Sequence, residues 1–254
     1  MVSDPALSFR KLSGAVAVLA LATFAEAAMF NSRNVKHLTG NTFKKAVQGS
    51  DKLTLAAFVA PWCGYCQKLA PEYDRAADNL KGLVNLVSVD CDADENKSLC
   101  AEQGIQGFPT IKTFPGGSAP SRPYDGPREG KAIVDYATKN MPTFVKRATS
   151  AKEALALKAK SSSKPIALLF TSAASVTPLY KALSTEFHRS IDFYAARDSK
   201  VGQDTLKEFG VDKVPALLIL KGEEVTQYKG EPRSQVRRTR RILQAYRNIQ
   251  GQKQ

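Results

Sequence analysis

The chain has 254 residues, of which 43% are hydrophobic and 24% charged. That make-up belongs to a folded globular protein and excludes a disordered chain, and the length suits one large domain or two ordinary ones. The net charge is +13. Much of the excess sits in "RSQVRRTRRILQAYRNIQGQKQ", where Val236, Leu243, Tyr246 and Ile249 recur at helical spacing. This run reads as an amphipathic helix with a solvated arginine face, not as a nucleic-acid patch.

At the start, Arg10 and Lys11 precede "LSGAVAVLALATF", and Ala25-Glu26-Ala27 follows as a small-residue cleavage site. Residues 1–27 are therefore read as a secretory signal peptide. The apolar run is too short to cross a bilayer as a helix, and no later run is long enough, so no membrane span is expected after its removal. The mature chain is expected in an oxidising compartment, where disulfides persist.

From about residue 34 to 140 the pattern is βαβαββα. A short strand at 35–39 leads to a helix at 40–50, then to the buried strand "LTLAAFVA" at 53–60. A long helix follows at 63–80, with Pro71 inside it expected to kink it. "LVNLVSVD" is the next strand and 93–104 the next helix. "FPTIKTF" and "SRPYDGPR" suit a hairpin joined by a Pro/Gly-rich loop, and 129–141 closes the unit as a helix. Strands alternating with helices, then a terminal hairpin, predict an α/β domain with a mixed sheet.

The second half repeats the plan. "KPIALLF" ending at Phe170 corresponds to "LTLAAF" ending at Phe58, and Gly210, Val211 and Pro215 correspond to Gly104, Ile105 and Pro109. A second copy of one fold is expected at 142–254, after a first at 28–141. The copy has no cysteine: "AASVTP" at 173–178 is set against "PWCGYC" at 61–66.

Four cysteines fall in the first half. Cys63 and Cys66 stand where a strand gives way to a helix, and a bridge between them closes too short a loop to stabilise much. A four-thiol zinc site with Cys91 and Cys100 has the wrong second spacing, and His37 and His188 lie in no ligand pattern, so no metal is expected. Cys91 and Cys100 are expected to form a structural disulfide, worth about 2–3 kcal/mol. The alternative is a second redox pair that exchanges with the first.

"APWCGYCQKLAPEY" followed by "GIQGFPTIKTF" and "YDGPRE" closely resembles the redox-active domain of protein disulfide isomerases. The whole mature chain resembles a two-domain member of that family, with two thioredoxin-like domains in tandem, one active and one inactive. The resemblance implies that Cys63 is the nucleophile and Cys66 the resolving thiol, with Arg128 in a mobile loop tuning Cys66. It implies a cis Pro109 whose neighbouring backbone pairs with the client, and Pro215 cis for structural reasons alone. Trp62 and Phe108 are expected to offer apolar surface to an unfolded chain, with Tyr65 between the thiols and Gly64 allowing a tight turn. The chemistry supports these roles: a helix N-terminus favours an anion, so Cys63 is expected as a thiolate.

Two departures from the family stand out. Tyr65 replaces the usual histidine, which should make the pair less oxidising. The family's buried glutamate is Ala57 here, and the lysine that commonly accompanies it is Ser88, so slow release from mixed disulfides is expected. Ala57→Glu should speed it.

The expected activity is oxidation and rearrangement of disulfides in unfolded or misoxidised secretory proteins. A disulfide reductase, or a chaperone with weak redox turnover, is the alternative. No bound cofactor is implied; glutathione or a lumenal partner oxidase would recycle the thiols. Asn96-Lys97-Ser98 is a glycosylation sequon. The chain carries no terminal Lys/His-Asp-Glu-Leu, yet the endoplasmic reticulum lumen is expected by resemblance, with secretion as the alternative.

Overall fold

In a computed structural model the described residues are 29–47, 49–116 and 119–228. The signal peptide and the C-terminal arginine-rich helix expected from the sequence lie outside them. The first unit runs β1 (Val35–His37), α1 (Gly40–Val47), β2 (Thr54–Val59), α2 (Gly64–Asn79), β3 (Asn85–Asp90), α3 (Lys97–Glu102), β4 (Thr110–Phe114), β5 (Arg122–Pro123) and α4 (Gly130–Asn140). Its sheet has the order β1-β3-β2-β4-β5. β3 pairs in parallel with β1 and β2, while β4 is antiparallel to β2 and to β5.

The second unit runs β6 (Val145–Ala148), α5 (Ala151–Lys160), β7 (Ile166–Thr171), α6 (Pro178–Phe187), β8 (Asp192–Arg197), α7 (Asp198–Val201), α8 (Gln203–Glu208), β9 (Ala216–Lys221) and β10 (Glu224–Gln227). Its sheet, β6-β8-β7-β9-β10, repeats the first in order and strand direction. The fold is thus two tandem thioredoxin-like α/β units, each a five-stranded mixed sheet flanked by helices.

All six residues of β2 are buried, because helices cover both faces of the sheet at its centre. Leu55, Ala57 and Val59 pack toward α2 and α4, with Leu69, Tyr73 and Ile133, whereas Ala56 and Phe58 pack with Phe43 and Leu99 on the opposite face. Along α2 the buried positions Cys66, Leu69, Ala70, Tyr73, Ala76 and Ala77 recur at three- and four-residue spacing. Pro71 lies within that one helix.

The matched glycines have the same work in both units. Gly104 and Gly210 take φ of 67° and 69° just past α3 and α8. Their successors donate backbone bonds five residues back, Ile105 to Cys100 and Val211 to Leu206, closing each helix in a left-handed cap.

Tyr73 Oη donates to the carbonyls of Leu55 and Val87, at 2.7 and 3.1 Å. Tyr180 does the same to Ala167 and Tyr194, at 2.8 and 2.9 Å. Each buried phenol thereby ties a helix to two central strands. Tyr73→Phe keeps the ring but loses both bonds, and is expected to cost about 1–2 kcal/mol. In urea this should lower the midpoint without changing the slope.

This pairing of tyrosines corrects the register expected from the sequence. Nine residues of α2 precede Tyr73, but only two of α6 precede Tyr180. "AASVTP" is therefore no counterpart of "PWCGYC": about two helical turns that carry the first unit's thiols are missing from the second. A groove of about 410 Å³ lies there, lined by Thr171, Ala173, Val176, Tyr180 and Pro215. The units meet through Lys52 Nζ and Glu186 Oε2 at 3.0 Å and through Asp51 Oδ2 and Arg189 Nη2 at 3.3 Å.

Candidate active site

The two thiols are placed by the junction of β2 and α2. Cys63 is the N-cap residue, with extended backbone (φ −80°, ψ 111°), and its sulfur accepts from the Cys66 N–H at 3.3 Å. It lies 3.6 Å from the Phe108 carbonyl oxygen. Cys66, one turn later, is wholly buried, whereas Cys63 retains 8% exposure. Both sulfurs are free thiols here.

The environments push the two apart. Hydrogen bonds from Cys66, above all that of its thiol, hold Cys63 below the ordinary cysteine range, with help from the Arg128 charge. Burial, and then the thiol bond to Cys63, push Cys66 up to about 12. One thiol is thus primed as an anion and its neighbour is held protonated.

Phe108 and Pro109 are joined by a cis peptide bond, as are Val214 and Pro215. Arg128 Nη2 donates to the Pro109 carbonyl at 3.0 Å. Its loop is anchored where Glu72 Oε2 accepts from the Gly130 N–H at 2.7 Å, and a side chain at Gly130 would strike the α2 backbone at Glu72. Arg128, Pro109, Phe108 and Cys63 therefore share one end of the sheet.

Trp62 and Tyr65 are 67% and 69% exposed on either side of Cys63. Trp62 meets Phe108 edge-on, with centroids 5.9 Å apart, and its Nε1 donates to Asp92 Oδ1 at 3.0 Å. Tyr65 carries the Lys68 ammonium 5.7 Å from its ring centroid. The expected reason for Gly64 needs correction. Its φ is not among the positive values, and a Cβ there would meet nothing within 4 Å. The backbone tolerates a side chain, so the absence of one keeps the surface beside the sulfurs open rather than permitting the turn.

Cys91 and Cys100 are bonded to each other, with Cα atoms 5.9 Å apart. The segment between them holds Asn96, whose sequon expectation is also corrected. Asn96 is only 3% exposed; its Nδ2 donates to the Asp90 carbonyl at 2.7 Å and its Oδ1 accepts from the Gly40 N–H at 2.9 Å. The nitrogen that would carry a glycan is a buried strut between β3 and α1. Both bonds span folded segments, so no local signal in the sequence distinguishes this asparagine from an exposed one. A contact that the sequence reading missed altogether joins Ser88 Oγ to His37 Nδ1 at 2.7 Å.

A redox-type CxxC at a helix start, opposite a cis proline in a mixed α/β sheet, defines a thioredoxin-fold protein. The thioredoxin family model matches residues 34–139. Protein disulfide-isomerase MPD1 of Saccharomyces cerevisiae is 30% identical over 200 residues, covering 72% of this chain and 63% of that one. Human protein disulfide-isomerase A6 is 48% identical over 118 residues, covering 46% and 26%. Protein disulfide isomerase-like 2-2 of Oryza sativa subsp. japonica is 40% identical over 148 residues, covering 57% and 40%. Among solved structures, ERdj5 form II superposes with a TM-score of 0.54 at 21% identity, over 84% of this chain and 30% of that one, which supports the fold. The chain thus carries a thioredoxin-family domain and is similar to protein disulfide isomerases over much of its length. It spans about half the length of the curated relatives it matches, between 46% and 59% for three of them.

Proposed function

We propose that the protein is a thiol–disulfide oxidoreductase that oxidises and rearranges disulfides in folding secretory proteins. The observation that carries this reading is the opposed character of its two thiols: Cys63, with 8% exposure, is held below the ordinary cysteine range, while the wholly buried Cys66 is pushed up to about 12. The Cys63 thiolate attacks a client disulfide and forms a mixed disulfide, or, when oxidised, is attacked by a client thiolate. Cys66 then displaces the client by attacking Cys63. The exposed Trp62 and Tyr65 rings give an unfolded chain an apolar landing surface. The carbonyl of Pro109, held by Arg128, orients the strand-like edge against which the client backbone lies.

The second unit lacks both the thiols and the turns to hold them, so it serves the first as a non-redox partner. Glutathione or a lumenal oxidase is the proposed electron partner. The endoplasmic reticulum lumen is the proposed compartment, in keeping with the Cys91–Cys100 disulfide.

The reading is tested by the reduction potential of Cys63–Cys66 in glutathione buffers, followed by Trp62 fluorescence. Trp62 is the single tryptophan and adjoins Cys63, so its signal reports on this pair. A value near about −180 mV is expected for an oxidant and isomerase, shifted somewhat lower by Tyr65 in place of histidine. A value near about −270 mV would make the protein a reductase.

A further inference from the structure

Resolution of the mixed disulfide needs Cys66 as an anion, yet its sulfur is wholly buried. In that step the Cys66 sulfur forms a bond to Cys63 Sγ while the bond from Cys63 to the client breaks. The client sulfur leaves with the electron pair and takes a proton from water. The proton already on Cys66 must go elsewhere, to a group that can return it to solvent.

The sheet beneath Cys66 offers one route. A single row of in-register residues crosses it, His37 on β1, Ser88 on β3, Ala57 on β2 and Ile111 on β4. In-register neighbours project from the same face. Ala57 packs in the apolar cluster that contains Cys66, which places the whole row on the side of α2. Ala57 has no group that can take a proton. The next step along the row is Ser88, 3% exposed, and its hydroxyl is 2.7 Å from His37 Nδ1. The imidazole itself reaches the exposed surface. A cavity of about 320 Å³ is lined by His37 and Ser88 together with Val59 and Pro61, which precede Cys63 in the chain. Its lining includes the polar groups of His37, Ser88, Asp90 and Glu95, and it is large enough for several waters.

We infer that His37 and Ser88 form the proton outlet for Cys66, with Ser88 passing the thiol proton through the cavity to the His37 imidazole. The inference rests on the exchange reading above. Ser88 Oγ–H donates to Nδ1, the imidazole accepts the proton there, and Nε2–H then returns one to solvent. Histidine is the side chain suited to this exchange near neutral pH.

The other titratable groups facing this region are accounted for. Tyr73 on α2 is locked onto two strand carbonyls and burial keeps it protonated. Lys36 and Lys112 alternate onto the opposite face of their strands. Arg128, bound at the Pro109 carbonyl, is a cation with no site to accept a proton. Asp90 and Glu95 also line the cavity. Asp90 Oδ1 accepts from the Asp92 N–H. These two carboxylates are the rivals to be separated by experiment.

The test mixes the reduced full chain with oxidised glutathione in a stopped-flow instrument and follows Trp62 fluorescence. The first phase, mixed-disulfide formation by Cys63, depends on glutathione concentration; the second, resolution by Cys66, does not. Wild type should show a second-phase rate that rises with pH. His37→Gln should lose that rise and slow the second phase about tenfold or more, leaving the first phase unchanged. Ser88→Ala should match it, and the double variant should be no slower than either. Ala57→Glu, which places a carboxylate beside Cys66, should restore the rate in the His37→Gln background. An unchanged second-phase profile in both His37→Gln and Ser88→Ala overturns the outlet, as does loss of the rise in Asp90→Asn or Glu95→Gln alone. If wild type shows no first phase, the exchange reading fails and the outlet with it.

Discussion

Cys66→Ser is expected to turn the protein into a trap. Cys63 still attacks, because the backbone N–H of residue 66, the Arg128 charge and the helix start remain to favour its thiolate. The intramolecular sulfur that displaces the client is gone. Mixed disulfides with unfolded client should therefore accumulate as discrete bands on non-reducing gels and vanish with reductant. Cys63→Ser should form none, and turnover should fall by about three orders of magnitude or more, as when a nucleophile is removed.

The pH dependence has a fixed sign. Because the Cys63 value is lowered, its thiolate persists to lower pH than an ordinary cysteine's, and iodoacetamide should alkylate it faster than a free cysteine at neutral pH. The rate falls as pH drops through that lowered value. Cys66, held near 12, should stay unmodified across the neutral range. Equal labelling of both cysteines at neutral pH would contradict the asymmetry on which the functional reading rests.

The second large effect is on stability. Cys91→Ala/Cys100→Ala opens a loop with a sequence separation of 9 and should cost about 2–3 kcal/mol. For a unit of this size the thermal midpoint should fall by about 10 °C. The bond ties the second half of α3 to the end of β3, where Cys91 N–H donates to the Val59 carbonyl at 2.8 Å and Asn96 braces α1. The same variant decides between the two sequence readings of these cysteines. A staple leaves turnover intact at a temperature where the variant is folded; a second redox pair would lose client oxidation there without any loss of structure.

The two copies of one fold were legible because the signals are local and repeated. Buried central strands appear as unbroken apolar runs, and Gly104 and Gly210 mark the same left-handed helix ends. The thiol pair was legible for the same reason, since a cap position and the next turn are three residues apart. The register of the second copy was not. The register expected from the matched strand ends, Phe58 and Phe170, runs on without a gap, while the reliable mark is Pro-x-Tyr, present at 71–73 and at 178–180, whose tyrosines bind strand carbonyls in both units.

What the sequence by itself determined, then, is the alternation of strands and helices, their duplication, and the confinement of the thiols to the first copy. Backbone periodicity and capping act over three or four residues, so residue types in order suffice to read them. Tertiary structure alone decided that Asn96 is a strut, that Gly64 is not needed for the turn, that Arg128 holds the Pro109 carbonyl, and that Ser88 meets His37. Apart from Asn96 with Asp90, six residues away, those pairs lie 19 to 56 residues apart along the chain. They come together through strand order and register, set by how the whole core packs and not by any short segment.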